Sequence, residues 1–247
     1  MSRSPTITGL DCGWMGTQRR TLIDGGGTDA LRIPIVSWLV RHPAGDVVFD
    51  AGLHPALATS TEMLGPLQKI FSVDLTPDGT VGPRLAEHQV DPAGPLTVVL
   101  SHGHFDHCGG LVELPNARVV VQRDEWQAAQ TEGVYDIALL DHGHDVTQID
   151  GEHDRFGDAS IVCVPTPGHT CGHQSLRVVT DDGVMILAGD ACYFSHTLDD
   201  EILPPFAHDH DAQRRSLAWL QDQRVAGATV VPGHDAAVFR TMTTGHP

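Results

Sequence analysis

Leu96-Thr-Val-Val-Leu100, running directly into Ser101-His-Gly-His-Phe-Asp-His-Cys-Gly-Gly110, is the stretch of this 247-residue chain that decides its reading. The apolar run is short and rich in valine, as a buried strand is, and the glycines behind the cluster break the chain into a loop. The strand end therefore carries His102, His104, Asp106 and His107 into one small volume. Three imidazoles and a carboxylate held together are costly unless something positive joins them, and borderline divalent metals favour these ligands. The loop predicts metal-assisted hydrolysis.

Three later segments repeat the same local physics. Val162-Cys-Val-Pro-Thr-Pro-Gly-His169, Met185-Ile-Leu-Ala-Gly-Asp190 and Thr229-Val-Val-Pro-Gly-His234 each end an apolar run with glycine and then one ligand-type residue. Glycine allows a tight turn at a strand end, so that the next side chain can enter a cleft. Together the four segments place seven ligand-type groups at strand ends. Two other stretches imitate functional motifs without their context. His142-Gly-His144 follows no apolar strand and reads as a solvated loop, and Gly25-Gly-Gly27 lacks the Lys-Ser/Thr and helix of a phosphate loop.

Around these segments the pattern is that of an α/β chain. Ile33–Val40 and Val47–Asp50 read as a hairpin, and strands are expected at Leu96–Leu100, Arg118–Gln122, Ala159–Val164, Gln174–Val179, Val184–Ala188 and Ala228–Val231. Helices are expected at Arg84–Gln89, Asp124–Gln130 and Asp211–Gln223, the last with Asp211 as N-cap. Met63, Leu64, Leu67, Ile70 and Phe71 recur at helical spacing within 55–75, and the segment up to Gly151 reads as irregular. That apolar stripe suits a groove for an acyl chain, core packing or a homodimer contact. Two rounds of strands and helices without a linker predict a single layered domain over 1–247.

Composition narrows the function classes. With 15 basic and 32 acidic side chains the net charge is −17, and Lys69 is the only lysine. Such a surface repels nucleic acid and anionic membrane. No apolar stretch approaches the roughly 20 residues of a membrane span, and the first residues carry no apolar leader, so a cytoplasmic protein is expected. Five cysteines without a C-x-x-C pair argue against a disulfide framework or a cysteine zinc knuckle, although Cys108 and Cys192 lie beside proposed ligands. Of the 16 histidines, His42, His54, His88, His153 and His246 read as ordinary solvated or core residues.

From Leu31 to His234 the chain resembles the metallo-beta-lactamase superfamily. That resemblance implies a four-layer αβ/βα sandwich with two divalent metals between the edges of its sheets. His102, His104 and His169 would hold one metal; Asp106, His107 and His234 would hold the other, with Asp190 bridging and a water or hydroxide shared between them. Asp50 resembles the aspartate that fixes the tautomer of a ligand histidine. Zinc is the default metal by ligand type, with iron, cobalt and manganese suited to the same set.

Within the superfamily the chain is most similar to the N-acyl homoserine lactonases. The likeness rests on the 101–110 loop, Val121-Gln-Arg-Asp-Glu-Trp126, Thr166-Pro-Gly-His-Thr-Cys-Gly-His-Gln-Ser-Leu176, Gly189-Asp-Ala-Cys-Tyr193 and Pro205-Phe-Ala207. Cys171 replaces a proline usual in that branch, and His208-Asp-His210 stands where a smaller residue is common. The resemblance implies a small-molecule lactone substrate opened by a metal-bridging hydroxide, Tyr193 donating to the carbonyl or ring oxygen and Asp106 carrying a proton to the leaving alkoxide. Phe105 would wall the lactone ring, His208 and His210 either touch substrate or are solvated, and His173 either supports a ligand or makes a structural hydrogen bond. The competing reading keeps the metals and changes the substrate to another lactone, an ester or a glyoxalase II-like thioester. A flavodiiron-type scaffold fits less well, because every imidazole is present and no flavin domain is expected, and a true β-lactamase fits less well because its second site commonly uses different ligands and it is exported.

Overall fold

The computed structural model describes residues 4–131 and 137–243. His246 and part of the expected irregular segment lie outside them. The strands are β1 (Thr6–Gln18), β2 (Ala30–Arg41), β3 (Val47–Phe49), β4 (Ser72–Asp74), β5 (Thr97–Val99), β6 (Arg118–Gln122), β7 (Asp145–Ile149), β8 (His153–Asp154), β9 (Ile161–Pro165), β10 (Gln174–Thr180), β11 (Gly183–Leu187) and β12 (Thr229–Val231). They form a seven-stranded sheet, in the order β4-β1-β2-β3-β5-β6-β7, and a five-stranded sheet, in the order β12-β11-β10-β9-β8. Both sheets are mixed: β3, β5, β6 and β7 run parallel, as do β11 and β12, and the other pairs are antiparallel.

Period-two alternation explains why the central strands are valine-rich throughout. Val47, Phe49, Val99 and Val120 face the second sheet and pack with Ile161, Cys163, Leu176 and Val178. Val48, Val98, Val119 and Val121 face the opposite way, onto Val81, Leu85, Leu111 and Trp126. A strand covered on both faces has no polar side to show. Outside the second sheet, Leu217 and Leu220 of the helix His210–Val225 close over Ile186 and Ala188. The result is the expected αβ/βα layering, helix, sheet, sheet, helix.

Several local expectations are corrected. The 55–75 stripe is not one α-helix: 3-10 segments at Pro55–Ala58 and Glu62–Lys69 replace it, and β4 follows. Gly65, at φ +52°, and Pro66, without an N–H, interrupt the helical ladder there. β1 was hidden because a bulge between Asp11 and Trp14 disrupts its alternation. β7, Asp-Val-Thr-Gln-Ile, is a half-exposed strand at the end of the sheet, too polar to register as apolar, and a further helix covers Ala236–Thr243. The cap of the helix His210–Val225 is Asp209, not Asp211: its Oδ1 accepts from the N–H groups of Asp211 and Ala212, at 2.9 and 3.0 Å.

The 101–110 loop is pressed against the end of β3. The Gly110 N–H donates to the Gly52 carbonyl at 3.1 Å, and an added Cβ on Gly110 would stand 2.1 Å from the Ala51 carbonyl oxygen. Backbone on both sides leaves nothing flexible to move. Gly110→Ala should therefore destabilise the protein by about 1–3 kcal/mol or more, read as a lowered urea midpoint. An unchanged midpoint would contradict the close approach.

Candidate metal centre

β5 ends at Val99, and Ser101 to His104 cross toward the second sheet before a single helical turn, Phe105–Cys108, reverses the chain. Gln174 at the start of β10 ties the sheets together here: its N–H donates to the Ser101 carbonyl at 2.9 Å and its Nε2 to the Leu100 carbonyl at 2.7 Å. His169, Asp190 and His234 arrive on the connections after β9, β11 and β12. The structure thus brings all seven strand-end residues together, where the sheet edges meet.

They fall into two groups. Nitrogen and oxygen atoms of His102, His104, His169 and Asp190 all lie within 4.8 Å of one another, and so do those of Asp106, His107 and His234. Asp190 spans the gap. Its Oδ2 is 3.8 Å from His102 Nε2 and 3.3 Å from His169 Nε2, while its Oδ1 is 3.3 Å from His107 Nε2 and 3.1 Å from His234 Nε2.

The donor set fits divalent cations. His104 Nδ1 faces both His102 Nε2 and His169 Nε2 at 2.9 Å. Nitrogens converging this closely repel through their lone pairs unless a proton or cation sits among them. His107 Nε2 and Asp190 Oδ1 are buried without a hydrogen-bond partner. Imidazole and carboxylate with no thiolate is a set that suits zinc and its neighbours.

The outer nitrogens are already engaged, which fixes the rings. His107 Nδ1 donates to Asp50 Oδ2 at 2.8 Å, and His234 Nδ1 donates to the Pro34 carbonyl at 3.0 Å. Asp50, at φ +62°, is held in its strained conformation by the Ser101 N–H on Oδ1 and the Ser101 hydroxyl on Oδ2. His173 is hydrogen-bonded through both ring nitrogens: its Nδ1 lies 3.1 Å from the Thr166 carbonyl, and its Nε2 accepts the Asp190 N–H at 3.0 Å, which ties it to a proposed ligand. Burial pushes its imidazole down to about 3, so it stays neutral.

Electrostatics divide the imidazoles. Burial drives His102 and His169 well below the ordinary histidine range and lowers His104 as well. At His107 and His234 burial acts in the same direction, but Asp190 and Asp106 outweigh it and raise both, His107 strongly. Burial opposes ionisation of Asp190, yet His107 and His234 hold it well below the carboxylate range. Tyr193 is pushed well above the phenol range by burial and then by Asp190 and Asp106, so its proton stays in place. Its hydroxyl lies 3.2 Å from His169 Nδ1.

A cavity of about 480 Å³ opens over the cluster. It is lined by His104, Asp106, His169, Asp190 and His234 of the polar cluster, by Tyr193, and by Met63, Leu64, Leu67, Ile70 and Phe71, together with Phe105 and Phe206. The stripe and Phe105 therefore border this cavity, and Leu64 is also part of the buried core, with Met63, Phe71 and Phe105 packed against it. His208 and His210 are exposed and line no part of this cavity; His210 Nε2 lies 3.1 Å from the Pro204 carbonyl. His142 and His144 likewise contact backbone carbonyls, of Leu139 and Leu114. All five cysteines are free, and burial raises the thiols of Cys108 and Cys192, the latter to about 12. Sequence reasoning missed the cavity walls Met15, Leu22 and Ile33, two of them on strands whose inward face only the fold reveals. It also assigned no role to Glu125, a fully buried carboxylate under the metal loop.

Comparison with known proteins places this geometry. Residues 30–234 match the model of the metallo-beta-lactamase superfamily. The chain is 31% identical over 224 residues to the N-acyl homoserine lactonase AttM of Azorhizobium caulinodans, covering 85% of each protein, and 32% identical to AttM of Agrobacterium fabrum over the same length and shares. Its fold is similar to a solved N-acyl homoserine lactone hydrolase carrying the product N-hexanoyl-L-homoserine at its catalytic metal centre. The TM-score is 0.88 at 22% identity, covering 98% of this chain and 97% of that one.

The raised His107 and His234 make a titration prediction. Without metal the neighbouring carboxylates favour the protonated form of both imidazoles, and Nε2 must lose its proton to bind a cation. Uptake of zinc by metal-free protein at pH 7 should release protons, and affinity should rise with pH. Calorimetry in buffers of different ionisation enthalpy reads the release; heats independent of buffer would contradict it.

Proposed function

The chain belongs to the metallo-beta-lactamase superfamily, and on that footing we propose that it is a dinuclear metal-dependent lactonase that opens the ring of N-acyl homoserine lactones. The observation that carries this reading is a cavity lined both by five of the seven cluster residues, His104, Asp106, His169, Asp190 and His234, and by the apolar residues of 63–71. A polar lactone head joined to an acyl chain matches that division. The AttM relatives are named for this activity.

His102, His104 and His169 would hold one cation, Asp106, His107 and His234 the second, and Asp190 both; zinc is the first candidate by ligand type. Two such cations supply a water that ionises near neutral pH and an electrophile for the carbonyl oxygen. The chain's own groups do the rest. The stripe and Phe105 orient the acyl chain and ring. Tyr193, neutral because of its burial and its carboxylate neighbours, keeps its Oη proton and donates it as a hydrogen bond to the carbonyl oxygen as charge develops there. Asp106 takes the proton released by the attacking water and returns it to the alkoxide, which remains tethered in the product.

The alternative is the same chemistry on another lactone, ester or thioester. A glutathione thioester is disfavoured because no lysine or arginine lines the cavity among the described residues.

Ring opening of butanoyl to dodecanoyl homoserine lactones, followed by pH indicator with metal content measured on the same sample, tests the reading. Turnover at about two metals per chain is expected, and a fully metallated protein inert to every chain length would remove the substrate. Tyr193→Phe should keep both metals and lower kcat by about 10²-fold, whereas Asp190→Asn should lose metal and activity together. Metal loss in the Tyr193 variant would show that its role is structural.

A further inference from the structure

Glu125 lies in the first turn of the helix Arg123–Thr131 and is fully buried. Both of its oxygens act as acceptors. Oε1 takes the Gly103 N–H at 2.8 Å; Oε2 takes the Thr170 hydroxyl at 2.7 Å and the Gly172 N–H at 3.1 Å. Gly103 sits between His102 and His104. Thr170 follows His169, and Gly172 precedes His173, whose Nε2 receives the Asp190 N–H. One carboxylate thus grips the two loops that carry all three imidazoles of one group.

The fit leaves no slack. An added Cβ on Gly172 would stand 2.2 Å from the Glu125 backbone nitrogen, so the helix end and the 166–174 loop meet backbone to backbone. Electrically, however, Glu125 is incomplete. Asp50, Asp106 and Asp190 each pair with an imidazole, but Glu125 joins no ion pair among the described residues. Three hydrogen bonds and the helix N-terminus offset part of the cost of burying a carboxylate, and a cation nearby would offset more. The loops that Glu125 holds carry the His102, His104 and His169 group, where a cation would sit.

We propose that Glu125 is the positioning residue of that half of the centre: it locks the 101–104 and 169–172 loops in register, and the cation held by His102, His104 and His169 is its counter-charge. The inference rests on the reading that this group holds a metal. It implies that Glu125 sets the affinity of one metal position and not the other.

Cobalt(II) titration of metal-free protein tests it, followed through the visible ligand-field bands, with the melting temperature of each metal-free protein measured alongside. Wild type should take up two cobalt ions. Glu125→Gln, which keeps shape and one acceptor oxygen, should weaken one of the two by about 10–100-fold and alter its band, leaving the other unchanged. Thr170→Val should weaken the same position by less, and it carries the test if Glu125→Gln does not fold. A Glu125→Gln protein that melts lower but binds both ions as wild type does would overturn the proposal, leaving the carboxylate a purely structural tie. Wild type that binds no cobalt would instead sink the metal-centre reading itself, and this inference with it.

Discussion

The structure turns on one carboxylate, Asp190, whose two oxygens are divided between imidazoles of different origin: His102 and His169 on one side, His107 and His234 on the other. Those four histidines come from connections after β5, β9 and β12, so no local segment could assemble them. A buried carboxylate among buried imidazoles is unfavourable without compensation, and each neighbour's protonation depends on the others. The sheets must therefore hold their edges in register closely enough for one side chain to serve both groups. Gln174 and the Ser101–Asp50–His107 network supply that registration through backbone and side-chain hydrogen bonds within buried surroundings.

The same constraint explains the strength of the packing around the site. Strands buried on both faces give a rigid frame, and the site residues sit on the connections beyond it. Part of the apolar wall, Met63, Leu64 and Leu67, belongs to the 3-10 segment around Gly65 and Pro66, outside the sheet ladders, while Met15 and Ile33 reach it from β1 and β2. Cavity shape can thus change there while the metal cluster, fixed at strand ends, stays as it is.

Much of this was legible in the sequence because strand-end glycines and ligand-type residues mark themselves locally. The apolar run before His102 and the repeated glycine-ligand endings before His169, Asp190 and His234 needed no tertiary information. What stayed hidden depended on distant partners. β1 lost its alternation to a bulge, and β7 is a polar strand that exists because β6 templates it. The helical spacing of 63–71 was real as a stripe and wrong as an α-helix, since Gly65 and Pro66 break the ladder while the side chains still face one cavity. Glu125 had no sequence signal beyond an acid at a helix start, where it would ordinarily be exposed; only the loops folded above it give it partners.

Anomalous diffraction from crystals of the zinc-loaded protein addresses the division of Asp190 most directly. The account predicts two peaks about 3.5–4 Å apart, one beside His102, His104 and His169, the other beside Asp106, His107 and His234, with a different oxygen of Asp190 bound to each. A single peak, or two peaks with Asp190 bound to only one, would contradict it.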